Sequence, residues 1–148
     1  MIAVDTNILV YAHRPDSPHF AAAAAELAQL VGTPAPWAVA WPCVHEFLAV
    51  VTSSLVFPVP TPWPRALEQV VAWRESGAIF IAEAAGHWDR LAGLMTASGV
   101  TGPKIHDARI AALCLDHGVD ELWTSDRDFS RFRALRVRNP LVNPRARR

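Results

Sequence analysis

Residues 1–12, MIAVDTNILVYA, place a carboxylate between two apolar segments. Residues 2–4 have the composition of a short buried strand, and residues 8–12 continue as an apolar helix. Asp5 stands at the junction, where an isolated ionised group is very costly to bury. The carboxylate must therefore be hydrated, paired with another group or bound to a cation, and the rest of the sequence has to discriminate between these three.

The composition of the 148-residue chain is typical of one folded domain. Hydrophobic residues make up 51% and charged residues 19%, which excludes a disordered chain. No apolar segment approaches the ~20 residues of a membrane span, and residues 1–12 lack the basic start of a secretory signal. We therefore predict a single domain over residues 1–148 in the cytoplasm. Cys43 and Cys114 lie in apolar helical patterns and are predicted to be buried free thiols.

The basic residues are concentrated near the end of the chain, although the net charge is zero. Of the 14 Lys and Arg residues, eight are arginines between positions 127 and 148. Because arginine can contact phosphate through two parallel hydrogen bonds, this region is a candidate surface for a polyanion. The alternative is a solvated surface that ends in an Arg-rich tail over about residues 139–148.

Short apolar segments alternate with longer helical patterns along the chain. The predicted strands are residues 2–4, 38–40, 78–81 and 121–124, with 136–138 as a fifth candidate. The predicted helices are residues 7–13, 18–31, 42–53, 63–75, 85–98, 104–117 and 126–132, the second of them capped by Ser17 and ended by Gly32. This alternation predicts an α/β fold whose central parallel sheet of four to five short strands has helices on both faces.

Four acidic residues occupy inward or strand-end positions in this arrangement. Asp5 and Asp126 each follow a predicted strand, at the edge of a parallel sheet where ligands bind. Glu46 and Asp107 are the charged members of otherwise apolar helix stripes. Four carboxylates gathered at one edge repel each other unless a divalent cation offsets the repulsion. Because all the ligands would be oxygens, Mg²⁺ or Mn²⁺ is expected rather than zinc.

Each of these acids also has a simpler explanation when it is taken alone. Asp5 and Asp126 precede helices and could be N-caps. Asp107 lies in a first helical turn, where the helix dipole favours an anion, and Glu46 could pair with an arginine. It is the presence of all four acids together that favours a site.

The histidines and the remaining acids are not assigned to the site. His45 and His106 adjoin two of the four acids, but adjacent helix residues point about 100° apart. Arg109 is expected in a salt bridge on a helix surface. Five further acids lie at predicted turns or helix surfaces and are expected to be solvated: Asp16, Asp89, Asp116, Asp120 and Glu121. Three tryptophans have the pattern of core residues: Trp41, Trp73 and Trp123.

Four segments carry a resemblance to a known family. They are VDTNILVYA at 4–12, HEF at 45–47, KIHDARIAALCLDHGV at 104–119 and ELWTSDRDFSRF at 121–132. In this order, and over essentially the whole chain, they resemble the PIN-domain ribonucleases, most closely the VapC-type toxins of bacterial toxin–antitoxin modules. The last segment is the most specific, since a Thr-x-Asp-x-Asp-Phe run after a late strand is characteristic of the family.

The resemblance assigns roles to individual residues. The family's acidic tetrad matches Asp5, Glu46, Asp107 and Asp126. Of these, Asp5, Asp107 and Asp126 are implied to hold one or two Mg²⁺ ions, which Mn²⁺ could replace, while Glu46 with Asp126 would orient or deprotonate the attacking water. Three accessory positions match an additional acid and two hydroxyl groups that orient the acids: Asp128, Thr124 and Ser125.

The resemblance also implies an activity and partners. The fold would be PIN-like, and the activity would be hydrolysis of RNA to a 5′-phosphate and a 3′-hydroxyl. A homodimer is implied, together with an antitoxin whose C-terminal segment crosses the active-site groove. The alternatives are a non-toxin PIN nuclease in RNA processing and a non-catalytic PIN-like RNA-binding module. A phosphotransfer enzyme fits less well, because aspartyl phosphatases need a second Asp where this chain has Asn7.

Overall fold

Five short parallel strands form the central sheet of the computed structural model, which describes residues 1–142. Strand β1 spans Ile2–Val4, β2 spans Trp37–Ala40, β3 spans Ile79–Ile81, β4 spans Glu121–Trp123 and β5 spans Val137–Arg138. Their order across the sheet is β3-β2-β1-β4-β5, and every neighbouring pair is parallel. The predicted parallel sheet is confirmed, and the fifth candidate strand belongs to it.

Six α-helices flank the sheet. They are α1 (Thr6–His13), α2 (Phe20–Val31), α3 (Trp41–Val51), α4 (Trp63–Glu75), α5 (His87–Ser98) and α6 (Ile105–Asp116). A short 3-10 helix, Gly102–Lys104, precedes α6, and a second one, Arg127–Arg131, follows β4. Within residues 1–142, no helix is both long enough and apolar enough to cross a membrane. The α/β fold class predicted from the alternating pattern is thus confirmed.

The second helix begins later than its capping pattern indicates. The hydroxyl of Ser17 accepts a hydrogen bond from the His19 amide at 3.2 Å, and its carbonyl accepts one from the Phe20 amide at 3.1 Å. These bonds close a turn before the helix, so Ser17 is not its N-cap and α2 begins at Phe20. Gly32 is the C-cap of α2, as predicted.

The core contains most of the residues that the apolar pattern selects. Cys43 and Cys114 are buried free thiols, as predicted, and Trp73 and Trp123 are each only 4% exposed. Trp41 is 39% exposed, so its assignment to the core was wrong. Trp41 is the first residue of α3, where its indole packs beside Phe80 with ring centroids 5.2 Å apart and remains open to solvent.

Two acids expected to be solvated are partly buried ion-pair partners. The side chain of Asp116 is 12% exposed and accepts a hydrogen bond from Arg90 of α5 at 2.9 Å. That of Glu121 is 13% exposed, pairs with Arg136 at 2.8 Å and accepts a hydrogen bond from the Trp123 indole. Both predictions were wrong, because α5 packs against α6 and β5 packs against β4, which brings an arginine to each acid.

The sheet register brings the two strand-end acids to one edge. Val4 at the end of β1 pairs with Trp123 at the end of β4, and the Asp5 amide donates to the Trp123 carbonyl at 2.9 Å. Asp5 and Thr124 are therefore the first residues after the carboxyl ends of two neighbouring parallel strands, where open sheets of this kind bind ligands. Strand β2, on the other side of β1, leads directly into α3.

Candidate active site

Asp5 is a buried carboxylate surrounded by four hydrogen-bond donors. Its Oδ1 accepts from the Thr6 amide at 2.8 Å and from the Cys43 thiol at 3.6 Å, the latter a weak contact. Its Oδ2 accepts from Asn7 Nδ2 at 2.6 Å and from Thr124 Oγ1 at 2.7 Å. The bond to the Thr6 amide makes Asp5 the N-cap of α1. The simpler explanation of Asp5 is therefore correct, and it coexists with a position in the cleft described below.

Burial raises the pKa of the Asp5 carboxyl from its ordinary value of 3.8 to about 6. The hydrogen bonds from Thr124 and Thr6 oppose this change in pKa, whereas the nearby charge of Glu46 adds to it. At neutral pH the group is mostly ionised, so the folded protein contains a desolvated negative charge whose energy would fall if a cation were bound nearby.

We expect this group to make the metal-free protein less stable as pH rises. Because its folded pKa is raised, Asp5 contributes stability that is fully present below about pH 3.8 and is lost as pH rises through about 6. The separation between the two pKa values corresponds to roughly 3 kcal/mol. Asp5→Asn removes the titration, so its free energy of unfolding relative to wild type should increase by up to roughly 3 kcal/mol between pH 4 and pH 7.

Urea denaturation in EDTA at four pH values measures this difference. Asp89→Asn is the matched control, since Asp89 is exposed in the first turn of α5 and its loss should leave the wild-type pH dependence intact. Parallel pH profiles for wild type and Asp5→Asn would contradict the assignment of the raised pKa to Asp5.

Thr124 links the two strand-end acids. Its hydroxyl donates to Asp5 and accepts from the Asp126 amide at 3.0 Å and from Asn7 Nδ2 at 2.9 Å. The Ser125 amide donates to Asn7 Oδ1 at 3.0 Å, so Ser125 contributes its backbone to the network. Asn7 was not assigned a role from the sequence, although its place in the motif DTN was the available signal. Its side chain ties the first turn of α1 to the segment after β4.

Glu46 lies at the mouth of the cleft rather than within the buried stripe of α3. Cys43, Phe47 and Val51 form that stripe, whereas Glu46 is exposed. Its Oε2 accepts a hydrogen bond from Thr6 Oγ1 at 2.6 Å, which connects α3 to the start of α1. The prediction that Glu46 points inward was therefore wrong. Its side chain is accessible to solvent, and the hydrogen bond from Thr6 fixes its orientation.

Asp107, Asp126 and Asp128 form a close cluster of carboxylates. One oxygen from each lies within 4.8 Å of the others, a spacing that can hold a metal ion. Asp126 also caps the 3-10 helix after β4, because its Oδ1 accepts from the Asp128 amide at 2.8 Å. Burial raises the pKa of Asp107, and the positive charge of Lys104 opposes this.

Two features of the cluster suit a hard divalent cation: its ligand atoms are carboxylate oxygens, and one of these oxygens accepts no hydrogen bond from the described residues. Asp107 Oδ2 is inaccessible to solvent and accepts no hydrogen bond from the described residues. Lys104 Nζ lies 3.4 Å from it, within ion-pair distance but without hydrogen-bond geometry. A set of carboxylate oxygens suits Mg²⁺ or Mn²⁺ better than zinc.

One cleft of about 430 Å³ contains all four acids of the predicted tetrad among its lining residues: Asp5, Glu46, Asp107 and Asp126. Where the sequence suggested Asp5, the three carboxylates close enough to share a metal ion include Asp128, which is not among the residues that line this cleft. Both oxygens of Asp5 already accept hydrogen bonds from neighbouring donors. Its role as a direct metal ligand therefore stays a prediction.

Two further clefts, whose linings include basic as well as acidic residues, adjoin the acidic one. The first shares Asp126 and has three arginines in its lining: Arg127, Arg136 and Arg138. The second shares Glu46 and Asp107, and its other polar lining residues are His45, Lys104, His106 and Arg109. The two histidines left unassigned thus face a cleft beside the acids. Arg109 pairs with Glu83, which confirms the predicted salt bridge on the helix surface.

Comparison with known proteins identifies the family. A model described as PIN domain matches residues 2–135. Ribonuclease VapC43 of Mycobacterium tuberculosis (strain H37Rv) is 35% identical over 148 residues, covering 95% of this chain and 96% of the relative. Ribonuclease VapC37 of the same strain is 30% identical over 141 residues, covering 95% and 97%. The chain therefore belongs to the PIN-domain family and, within it, to the VapC ribonucleases, as its four sequence segments indicated.

Solved structures show the same fold at low sequence identity. FitAB bound to an IR36 DNA fragment has a TM-score of 0.70 at 17% identity, covering 97% of each chain. VapBC2 from Rickettsia felis, bound to a promoter DNA fragment, has a TM-score of 0.68 at 20% identity, covering 93% of this chain and 98% of that one. Mycobacterium tuberculosis VapC20, described as a sarcin-ricin loop cleaving toxin, has a TM-score of 0.67 at 13% identity, covering 88% and 93%.

Proposed function

We propose that this protein is a Mg²⁺-dependent endoribonuclease and the toxin of a toxin–antitoxin pair. The observation that carries the proposal is the single cleft lined by Asp5, Glu46, Asp107 and Asp126 at the carboxyl edge of the sheet. Relatives that are named ribonucleases support the reaction class. We further propose that residues 1–148 form one nuclease domain, because β1 and β5, from opposite ends of the chain, belong to the same sheet.

In this proposal the cation is held by Asp107 and Asp126 together with Asp5 or Asp128. A bound Mg²⁺, or Mn²⁺ in its place, supplies a Lewis acid that lowers the pKa of water and stabilises negative charge on the phosphate. Glu46 accepts a proton from the attacking water, because it is exposed at the mouth of the cleft and held by Thr6. Thr124 and Asn7 keep Asp5 and Asp126 in a fixed relative orientation.

RNA is the proposed substrate because both clefts that adjoin the acidic one have arginine or lysine side chains in their linings. Arg127 and Arg138 line one of them, and Lys104 and Arg109 line the other. Such residues bind the phosphate backbone without reading its sequence. Part of the predicted basic tail, residues 143–148, lies outside the described residues. The expected products are a 5′-phosphate and a 3′-hydroxyl.

An antitoxin is the proposed protein partner. Structural neighbours of this chain include VapBC and FitAB assemblies, which supports a partner of this kind. Val56 lines the acidic cleft and is exposed, and together with the exposed Leu55 and Val59 of the same segment it offers a surface for the partner's apolar residues. A homodimer and a cytoplasmic location stay predictions. A non-toxin PIN nuclease and a non-catalytic RNA-binding module are the competing functions.

Purified protein should cleave RNA with Mg²⁺ or Mn²⁺, stop in EDTA and resume when excess Mg²⁺ is added. The new ends should ligate to an adaptor without prior phosphorylation, because they carry a 5′-phosphate. The product of a small reading frame upstream of the gene should inhibit cleavage, and removing that product's C-terminal segment should restore it. RNA binding without cleavage would favour the non-catalytic module, and equal inhibition by the truncated partner would contradict occlusion of the cleft.

A further inference from the structure

Lys104 places a positive charge inside the acidic cluster. It is the last residue of the 3-10 helix Gly102–Lys104, immediately before α6. Its ammonium group contacts Asp128 directly and lies 3.4 Å from Asp107 Oδ2 and 3.9 Å from Asp126 Oδ2. One lysine therefore pairs with three carboxylates, two of which come from the loop and 3-10 helix that follow β4.

These three carboxylates are the same three whose oxygens are close enough to share a metal ion. An ammonium group and a divalent cation cannot occupy the centre of one cluster together, because both are positive and both need the same oxygens. We propose that Lys104 is a built-in counterion, which occupies the cluster in the metal-free protein and must leave when a divalent cation binds. This inference rests on the proposed metal dependence of the enzyme.

The surroundings of Lys104 allow this exchange. Its side chain is 42% exposed, so it can turn away without breaking buried packing. It also lines the adjoining cleft that contains His45 and His106, which gives the displaced ammonium group a position beside the site. Asp128 keeps a second basic neighbour after the exchange, since Arg131 Nε lies 3.8 Å from its other oxygen.

Two opposite effects distinguish a counterion from a merely structural lysine. Removing the charge should strengthen metal binding, because the cation no longer has to displace an ammonium group. The same change should destabilise the metal-free protein, because three carboxylates lose the positive charge that separates them. If Lys104 only supported the fold, its replacement would destabilise the metal-free and metal-loaded forms equally.

The experiment compares wild type with Lys104→Gln and Lys104→Arg by Mn²⁺ titration calorimetry and by thermal unfolding in EDTA and in Mn²⁺. For Lys104→Gln, the Kd for Mn²⁺ should fall on the order of three- to tenfold. Its melting temperature should fall in EDTA, and the rise caused by Mn²⁺ should be larger than in wild type. Lys104→Arg keeps the charge and should bind Mn²⁺ no more tightly than wild type.

Arg65→Gln is the matched control, because Arg65 pairs with Glu68 at the same i, i+3 spacing on the exposed face of α4. It changes the net charge equally and should leave the Kd for Mn²⁺ unchanged. An unchanged or weaker Kd in Lys104→Gln, with binding by wild type intact, would overturn the counterion proposal alone. No Mn²⁺ binding by either protein would overturn both this proposal and the metal dependence of the proposed function.

Discussion

Asp107→Asn is expected to reduce RNA cleavage by at least about 100-fold. Asp107 Oδ2 is enclosed and accepts no hydrogen bond from the described residues, and Asp107 lies in the cluster with Asp126 and Asp128. Asparagine keeps the size of the side chain and one oxygen but removes the charge that a cation needs. The measurement is the initial rate of cleavage of an RNA oligonucleotide at saturating Mg²⁺.

Asp89→Asn provides the control for this substitution. Asp89 and Asp107 each lie in the first turn of a 12-residue helix, so both variants lose the same favourable interaction with the helix dipole. Only Asp107 belongs to the acidic cluster. Asp89→Asn should therefore retain wild-type cleavage. Full cleavage by a folded Asp107→Asn protein would contradict the assignment of the site.

Divalent metal is expected to raise the melting temperature of the protein substantially. A cation that binds only the folded state adds about 2.7 kcal/mol when its concentration is ~100 times its Kd. For a domain of this size, that corresponds to roughly 5–11 °C. Differential scanning fluorimetry at pH 7, in EDTA and in millimolar Mg²⁺ or Mn²⁺, measures the change.

Asp126→Asn should lose most of this metal-dependent rise. Asparagine caps a helix almost as well as aspartate, so the 3-10 helix after β4 should keep its N-cap. The variant therefore separates the capping role of Asp126 from its role in the cluster. If the wild-type melting temperature changed with neither metal, the metal-site assignment would be contradicted and the acids would be explained as caps and ion-pair partners alone.

The strand-end acids could be predicted because their positions follow from local pattern. A short apolar strand followed by Asp and then a helix places the side chain at the carboxyl edge of a parallel sheet, as found for Asp5 and Asp126. The sequence offered an N-cap and a place in a shared site as alternatives for Asp5 and Asp126, but the two positions are compatible in the structure. In each residue one oxygen accepts the capping bond, and the carboxylate still faces the shared cleft.

Lys104 and the partly buried acids could not be predicted, because their environments are made by segments distant in sequence. Lys104 reaches Asp126 and Asp128 across more than twenty residues, and neither helical periodicity nor capping rules report such a contact. The ion pair of Asp116 could not be predicted for the same reason, since its partner Arg90 lies on a different helix. Trp41 shows the complementary limit, because an apolar pattern does not indicate which end of a helix the neighbouring elements cover.

The position of β4 between β1 and β5 in the sheet affects when the acidic cleft can form during synthesis. Strand β1 spans Ile2–Val4, whereas its neighbour β4 spans Glu121–Trp123 and Asp126 follows later still, so β1 is synthesised well before its neighbour. A chain still attached to the ribosome and lacking those residues contains Asp5, Glu46 and Asp107 without the strand that brings the fourth acid beside them. The acidic cleft is therefore completed only after β4 and Asp126 have been synthesised, long after β1, so any activity that depends on all four acids has to wait for that segment.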